Sequence, residues 1–259
     1  ASAGTSTQRS SSGAPGRQQQ PLSTQITLPI DGAYQPTIDN FVVGESAALV
    51  AALQAPRNGF RGIWLSGAPS SGRSHVLQAY GEYAAQQGRA ACYMSCASLD
   101  AKMLPALWTE LEQQALGVIQ GEDPLVLIDD VAGLCGHGPC EEGLMLIYQQ
   151  LLAAGGEILV SHDTSALAIK FALPDLNSRM RGFEHFAMIP LSDRDKAQVL
   201  TDRAHAKGYE LTDAVLEYWL RRGPRDLTTL VADLQRLDQA TLQHQRLLTV
   251  PLLKEVLGY

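Results

Sequence analysis

Between an apolar run and a helical pattern, this chain carries the stretch Gly67-Ala68-Pro69-Ser70-Ser71-Gly72-Arg73-Ser74. The apolar run 62–65 predicts a strand and the spacing from His75 onward predicts a helix, which is the setting of a phosphate-binding loop. The glycines allow backbone N–H groups to converge on an anion at the helix N-terminus, and Ser74 can reach a magnesium ion. Arg73 occupies the lysine position of the motif, so the positive charge is kept on a planar guanidinium instead of a compact ammonium. Glycine-rich turns of this kind also occur without a ligand, so the loop alone leaves both interpretations open.

A second motif follows the loop along the chain. The run Pro124-Leu125-Val126-Leu127-Ile128 is apolar and ends in Asp129 and Asp130. A buried strand of this form would bring Asp129 to the carboxyl edge of a sheet, where it can orient magnesium, and Asp130 could then polarise water. Two aspartates after a strand are also a common turn signal. Combined with the loop, however, they favour a nucleotide-binding P-loop protein.

The order of the predicted elements indicates the fold class. Strand and helix patterns alternate over residues 37–191, which predicts an α/β fold with a parallel sheet and helices on both faces. From Ser192 the pattern is helical only, beginning with a capping-box signature formed with Asp195, so we expect a small all-α domain over residues 192–259. Residues 1–24 are rich in Ser, Gly, Gln and Pro and are expected to form a flexible tail.

Composition limits the class of protein. The chain has 259 residues with 20 Lys and Arg against 27 Asp and Glu, which is a formal net charge of -7. This balance argues against extensive binding of nucleic acid, which relies on clustered Lys and Arg. No run approaches the roughly 18 apolar residues of a membrane span. Residues 1–20 lack the apolar core of a signal peptide, so we expect a cytoplasmic protein with no membrane partner.

The four cysteines are candidate metal ligands. Cys135 and Cys140 flank Gly136-His137-Gly138-Pro139, a spacing that a metal-binding loop could have, whereas Cys92 and Cys96 lie in an apolar segment. Because the sequence has no paired C-x-x-C units, we favour thiols of the core and of loops over a zinc site.

A short apolar island, Gln25-Ile26-Thr27-Leu28-Pro29-Ile30, interrupts the polar N-terminal region. An extended, proline-containing apolar segment outside a globular core suggests a docking peptide, in which Gln25 forms hydrogen bonds and Leu28 and Ile30 fill pockets. The alternative is that the segment packs on its own domain.

Polar residues also follow the next predicted elements. A helix over 141–154 is followed by a strand over 157–160 with Ser161-His162-Asp163 at its tip, where a polar residue can contact a γ-phosphate or its attacking water. We expect His162 to be an exposed turn residue. A short helix after Pro174 carries Arg179 and Arg181, which could equally be solvated surface charges. The last strand is predicted over 186–190.

These motifs together resemble the AAA+ ATPase module of the DnaA family of bacterial replication initiators. Three further segments carry the resemblance: Asp39-Asn40-Phe41-Val42-Val43-Gly44, Leu176-Asn177-Ser178-Arg179 and Pro224-Arg225-Asp226-Leu227. Within that family the chain is more similar to the Hda group, whose members inactivate DnaA. Four features indicate this group: Gly72-Arg73-Ser74-His75, the peptide 25–30, Leu191-Ser192-Asp193-Arg194-Asp195-Lys196 and the ending Leu248-Thr249-Val250-Pro251. The similarity covers about residues 25–258.

The resemblance implies a role for each matching residue. Arg179 would be an arginine finger acting in trans, Ser74 and Asp129 would hold magnesium, and Asp130 would lie near the attacking water. The residues implied in docking on the sliding clamp are Gln25, Leu28, Pro29 and Ile30. The residues implied in nucleotide binding are Phe41, Val42, Val43, Gly67, Pro69, Ser70, Ser71, Gly72, Arg73, Ser74, His75, Asp163 and Arg225.

The same resemblance implies a regulatory function. On the DNA-loaded sliding clamp (beta) of DNA polymerase, such a protein stimulates hydrolysis of ATP bound to DnaA and so prevents re-initiation. Its own cofactor would be a nucleoside diphosphate, ADP in the first place, with Mg²⁺ as a further ligand and with little intrinsic ATPase activity. The sequence leaves two states open for the free protein, a monomer and a homodimer.

Two alternatives remain: an autonomous AAA+ ATPase, and a non-catalytic adaptor that binds the clamp. An initiator that binds an origin is disfavoured, because the sequence ends at Tyr259 without a basic helix-turn-helix segment. We therefore expect no extensive direct binding of DNA.

Overall fold

The computed structural model describes residues 47–96, 104–244 and 248–259. The strands are β1 (Arg61–Gly67), β2 (Ala91–Ser95), β3 (Leu125–Asp129), β4 (Glu157–His162) and β5 (Glu184–Met188). The helices are α1 (Ala47–Gln54), α2 (Arg73–Gln86), α3 (Leu104–Ile119), α4 (Gly138–Ala154), α5 (Pro174–Arg181), α6 (Asp193–Ala206), α7 (Asp213–Arg222), α8 (Leu227–His244) and α9 (Val250–Leu257). The predicted clamp peptide Gln25–Ile30 and the segment Phe41–Val43 lie outside the described residues.

The strands form one parallel sheet in the order β2-β3-β4-β1-β5. Alternate residues of a strand face opposite sides of a sheet, and the burial pattern follows this rule. Trp64 packs with α3, α4 and α5 on one face, whereas Ile63 and Leu65 pack with α1 and α2 on the other. All five residues of β3 are buried, as expected of a central parallel strand. The predicted α/β fold with helices on both faces is therefore confirmed.

The register aligns the carboxyl ends of the strands that carry the polar motifs. Ser66 of β1 lies beside His162 of β4, and Ser95 of β2 lies beside Asp129 of β3. In open α/β sheets, ligands bind outside this edge. The loop after β1 and the aspartates after β3 consequently lie in the same region.

Helices α6 to α9 form the predicted all-α part, with a core of their own that includes Leu200, Trp219, Leu230 and Leu237. The predicted capping box at the start of α6 is present: Ser192 Oγ accepts a hydrogen bond from the Asp195 N–H at 3.2 Å. Of the described helices, none has the length and apolarity needed to cross a membrane.

Two predicted boundaries were wrong. The last strand is β5, Glu184–Met188, and not 186–190, because Pro190 has no N–H to donate to the β1 ladder. Helix α4 begins at Gly138 and not at Glu141, since Pro139 fits the first turn of a helix. The candidate metal loop is therefore largely helical, with Cys140 buried inside α4. Burial raises the pKa of Cys135 to about 11, as expected of a thiol in a packed environment.

A buried charged cluster closes the opposite, amino edge of the sheet. Glu157, at the start of β4, is fully buried and lies directly opposite Arg61 of β1. Arg61 Nε donates to Glu157 Oε1 at 2.6 Å, while Arg89 Nη2 and the Tyr80 hydroxyl each donate to Oε2 at 2.9 Å. One carboxylate thus joins β1, β4, helix α2 and the residue that leads into β2.

Candidate functional site

The loop between β1 and α2 has the backbone of an anion-binding turn. Gly72 is left-handed with φ 94°, and the first helical hydrogen bond is donated by the Val76 N–H to the Gly72 carbonyl at 2.9 Å. The N–H groups of the first turn of a helix have no acceptor within that helix, so they can bind an anion. A Cβ on Gly67 would lie 2.6 Å from Ser71 Oγ and 2.9 Å from the Met188 carbonyl oxygen, so only glycine fits there.

Two buried polar atoms of the loop have no hydrogen-bond partner among the described residues. They are the hydroxyl oxygen of Ser71, a residue that is 2% exposed, and Nη1 of Arg73. The other terminal nitrogen of Arg73, Nη2, lies 3.9 Å from Asp130 Oδ1. Buried polar groups normally have partners, so the loop and the arginine together present binding capacity that the chain itself does not use.

Asp129 and Asp130 have different surroundings although they are neighbours. Asp129 is buried and accepts hydrogen bonds from the Ser161 hydroxyl and, at 3.0 Å, from the Tyr93 hydroxyl. Asp130 takes a left-handed backbone, φ 59°, and its N–H donates to Ser161 Oγ at 3.0 Å. Ser161 therefore forms hydrogen bonds with both aspartates at the carboxyl edge of the sheet. Ser161 and Tyr93 were missed as residues that contact Asp129, although each lies in a strand adjacent to β3.

The expectation that His162 is an exposed turn residue was wrong. Its side chain is only 17% exposed, because the ring lies between two carboxylates. Nδ1 lies 3.4 Å from Asp130 Oδ1, and Nε2 lies 2.8 Å from Asp163 Oδ1. The structure thus joins Asp163, predicted to bind the nucleotide, to Asp130, predicted to lie near the attacking water, through a histidine.

Side chains of the all-α part contact the loop between β1 and α2. Ser70, in the loop, and Thr228, in the first turn of α8, have their hydroxyl oxygens 3.0 Å apart. His75, on the first turn of α2, has its pKa lowered to about 4 by burial and then by the positive charge of Arg203 in α6. A neutral His75 adds no charge to the loop at neutral pH. Arg225 is largely exposed and pairs with Asp193 at 3.0 Å, so its predicted contact with a nucleotide stays a prediction.

Asp226 caps the helix that reaches the loop, because its Oδ1 accepts the Thr229 N–H at 2.8 Å. We expect Asp226→Ala to lower the free energy of unfolding by about 1 kcal/mol at neutral pH. The hydrogen bond from the Thr229 N–H lowers the pKa of Asp226 below 3.8. The cap therefore stabilises fully above that value, and its contribution is lost as the pH falls through the lower pKa of the folded state.

Urea unfolding of both proteins at pH values from neutral to about 3 tests this expectation. Asp213→Ala is the matched control, because Asp213 lies in the first turn of α7, where no side chain caps the helix. A difference between Asp226→Ala and the parent protein that stays constant down to acid pH would contradict the assignment.

A second group of residues lies on α5 and the elements beneath it. Arg179 is exposed, and its guanidinium carbon lies 5.7 Å from the ring centre of Tyr148, which is 7% exposed. Phe60 and Phe183 pack against Tyr148, with ring centres at 5.3 and 6.2 Å. The guanidinium of Arg179 therefore lies next to a packed aromatic cluster of the core.

The segment that leads into α5 is held by buried polar groups. Glu141 is fully buried and accepts backbone N–H groups from Gly136 at 2.8 Å, Ala172 at 3.0 Å and Leu173 at 2.8 Å. Asn177 accepts the Phe171 N–H at 2.9 Å and donates to the Phe171 carbonyl at 2.8 Å. The exposed Arg179 thus projects from α5, and the segment before α5 is hydrogen-bonded to Glu141 of α4. Arg181 is also exposed, and sequence alone could not separate the two arginines.

Comparison with known proteins gives two family matches. Residues 33–185, more than half of the chain, match the bacterial DnaA ATPase domain, and residues 193–257 match the Hda lid domain. Domain III of the Thermotoga maritima replication initiation protein DnaA has a similar structure, with a TM-score of 0.69 at 21% identity, over 86% of this chain and 95% of that one. AMPPCP-bound DnaA from Aquifex aeolicus has a TM-score of 0.61 at 21% identity, over 83% of this chain and 70% of that one. These structural similarities show the shared fold.

Proposed function

This chain belongs to the bacterial DnaA ATPase family and carries an Hda lid domain, and on that premise we propose that it is a negative regulator of replication initiation. It stimulates hydrolysis of the ATP bound to DnaA, in the presence of the sliding clamp loaded on DNA. The chemistry occurs in the nucleotide site of the partner, to which this chain contributes a guanidinium group. ADP-bound DnaA is the inactivated product.

One observation carries the proposal: Arg179 is exposed on a helix whose base is rigid. A finger has to bring a positive charge to the phosphoryl group that is transferred, and it stabilises the charge that develops there. The ring of Tyr148 contacts the guanidinium of Arg179. Buried Glu141 accepts hydrogen bonds from the backbone of the segment that precedes α5. Arg179 therefore enters a neighbouring site without a large loss of conformational entropy.

The chain's own site fits the phosphates of a nucleotide. The unpartnered Nη1 of Arg73 and the first-turn N–H groups of α2 would bind phosphate oxygens, and Gly67 leaves space next to Ser71. DnaA from Aquifex aeolicus has been solved with AMPPCP, an adenine nucleotide analogue, which supports an adenine nucleotide as the ligand, and ADP is the one proposed here. Ser74 and Asp129 would hold Mg²⁺, which would neutralise phosphate charge. Asp163, Arg225 and the segment Phe41–Val43 are proposed to complete the nucleotide contacts.

The proposed partners are DnaA and the sliding clamp. The chain's DnaA-like α/β fold supports packing against DnaA itself. Docking on the clamp is assigned to Gln25, Leu28, Pro29 and Ile30, whose residue types suit an extended peptide in an apolar groove.

Single-turnover hydrolysis of ATP preloaded on DnaA tests the proposal, with and without clamp on DNA. We expect this protein to accelerate hydrolysis only when the loaded clamp is present. Gln25→Ala should reduce the rate at limiting protein concentration by about tenfold, because loss of an anchor side chain costs on the order of 1–2 kcal/mol of binding. Gln19→Ala, in the polar tail, is the matched control and should be as active as the parent protein.

The remaining outcomes distinguish the alternatives. If the parent protein fails to stimulate hydrolysis, the proposed function is wrong. Steady-state turnover by this protein alone, abolished by Asp129→Ala, would indicate an autonomous ATPase instead. Undiminished activity of Gln25→Ala would remove the clamp-docking role of the peptide.

A further inference from the structure

We propose that Tyr93, together with Ser161, is a positioning residue that orients Asp129 toward a divalent cation bound along with the nucleotide. The inference rests on the proposed nucleotide site of this chain and adds the side chains that act through its predicted metal ligand. Both act through a hydroxyl group that donates a hydrogen bond to the Asp129 carboxylate.

The two hydroxyl groups reach the carboxylate from the strands on either side of β3. The Ser161 hydroxyl of β4 donates to Oδ1, and the Tyr93 hydroxyl of β2 donates to Oδ2 at 3.0 Å. Asp129 is 5% exposed, so water has little access to replace either donor. Each carboxylate oxygen has two lone pairs, so it can accept one hydrogen bond and still bind a cation. The carboxylate is thus fixed in orientation and keeps its capacity as a ligand.

Strand periodicity turns these side chains to the same face of the sheet. Leu127 of β3 and Leu159 of β4 belong to the core cluster on the α1 and α2 face, and Tyr93 packs against that cluster. Asp129 and Ser161 each follow one of these leucines by two residues, and side chains two residues apart in a strand share a face. The Asp129 carboxylate therefore faces α2, the helix that begins at the end of the phosphate-binding loop.

Helix α2 brings the other predicted metal ligand to this face. Ser74 lies in the first turn of α2 and is exposed. Gln78 lies four residues later, on the same side of the helix, and its side chain is next to the Tyr93 hydroxyl. The Tyr93 hydroxyl thus contacts both the helix that carries Ser74 and the strand that carries Asp129.

The described residues do not hold a metal ion by themselves. Within residues 47–96, 104–244 and 248–259, no group of three or more His, Cys, Asp or Glu side chains could bind one. Proteins commonly hold Mg²⁺ with one or two carboxylates and the phosphates of a substrate. A cation at Ser74 and Asp129 would therefore bind together with the nucleotide, and its contribution would be measured as a gain in nucleotide affinity.

The test measures the dissociation constant of the full chain for ADP by titration calorimetry, once with Mg²⁺ and once with EDTA. We expect the parent protein to bind ADP at least about tenfold more tightly with Mg²⁺. Loss of a hydrogen bond to a metal-ligating carboxylate commonly weakens metal binding by about 10–100-fold. Tyr93→Phe should accordingly reduce the gain from Mg²⁺ by about tenfold, while the dissociation constant in EDTA stays within about twofold of the parent value.

Two further variants complete the test. Tyr83→Phe is the matched control, because Tyr83 of α2 packs against the same core cluster, and it should preserve the parent gain from Mg²⁺. Ser161→Ala removes the other hydroxyl and should also reduce the gain. Thermal unfolding of each variant is recorded alongside binding, and if Tyr93→Phe is unstable, Ser161→Ala decides.

Three results would overturn the inference. The first is a parent protein that binds ADP equally well with Mg²⁺ and with EDTA, and the second is an unchanged gain in both folded variants; in both cases the proposed nucleotide site stands. The third is equal weakening of ADP binding with Mg²⁺ and with EDTA, which would make Tyr93 a general structural residue. Absence of ADP binding to the parent protein would contradict the proposed nucleotide site as well. The proposed stimulation of ATP hydrolysis on DnaA is measured separately, in the single-turnover experiment.

Discussion

Arg179→Ala is expected to abolish stimulation of DnaA-bound ATP hydrolysis, with a loss of about 10³ or more in the single-turnover rate. In the proposed function the guanidinium acts on charge that develops in the transition state, so its removal would affect the chemical step. The variant should still bind the clamp and DnaA. Arg179 is exposed, and its removal takes from the fold of this chain a contact with Tyr148. Such a cation–π contact is worth roughly 1 kcal/mol or less at an exposed site.

Two variants sharpen this expectation. Arg179→Lys should not restore the rate, because an ammonium group lacks the planar fork that contacts two phosphate oxygens. Arg181→Ala is the matched control, as it removes the same charge from the same helix two residues further on, where the side chain points elsewhere. Full activity of Arg179→Ala with both partners bound would leave an adaptor that acts by assembly. Loss of activity in Arg181→Ala alone would transfer the finger role to Arg181.

Glu157→Gln is expected to destabilise the fold by about 3–5 kcal/mol, the largest stability effect that we anticipate from one substitution. The carboxylate is fully buried and receives charged hydrogen bonds from Arg61 and Arg89. The glutamine amide keeps the shape of the glutamate side chain but not its charge. The guanidinium groups of Arg61 and Arg89 would then stay partly buried without a negatively charged partner at this position. For a protein of this size the midpoint of thermal unfolding should fall by roughly 10 °C.

Calorimetry or urea unfolding measures this effect. Asp123→Asn is the matched control, because Asp123 also pairs with Arg57 and Arg89 but its side chain is 44% exposed. An exposed ion pair contributes at most about 1 kcal/mol. Equal effects of the two substitutions would contradict the special role of the buried carboxylate. The cluster lies at the amino edge of the sheet, so the nucleotide affinity of the folded variant should stay close to that of the parent protein.

Much of the fold was predictable because its signals are local. The glycine loop between a strand and a helix, and the apolar run that ends at Asp129, each occupy fewer than ten consecutive residues. Helix ends in the all-α part follow from caps such as Ser192 and Thr249. The resemblance to the DnaA family, drawn from these segments, is confirmed by the family matches over 33–185 and 193–257.

The functional contacts were less predictable, because they join residues far apart in sequence. His162 and Asp130 are separated by 32 positions, and Glu157 and Arg61 by 96. A strand tip and a turn look alike in sequence, so His162 was expected to be exposed. Its ring instead lies between Asp130, at the end of the neighbouring strand, and Asp163, the next residue along the chain. The predicted clamp peptide and the segment Phe41–Val43 lie outside the described residues and stay predictions.

The order of residues along the chain was enough to predict the fold class, the glycine-rich loop between β1 and α2, the acidic strand end and the family, since each depends on spacing within one element or its adjacent turn. Only the packed structure settled which side chains meet. The parallel register placed His162 beside Ser66, the residue before the loop, and the pairing of β1 with β4 brought Arg61 to Glu157. The packing of α4 against α5 brought Tyr148 into contact with Arg179. These encounters depend on distances between elements, which burial of the whole core determines and no local pattern contains.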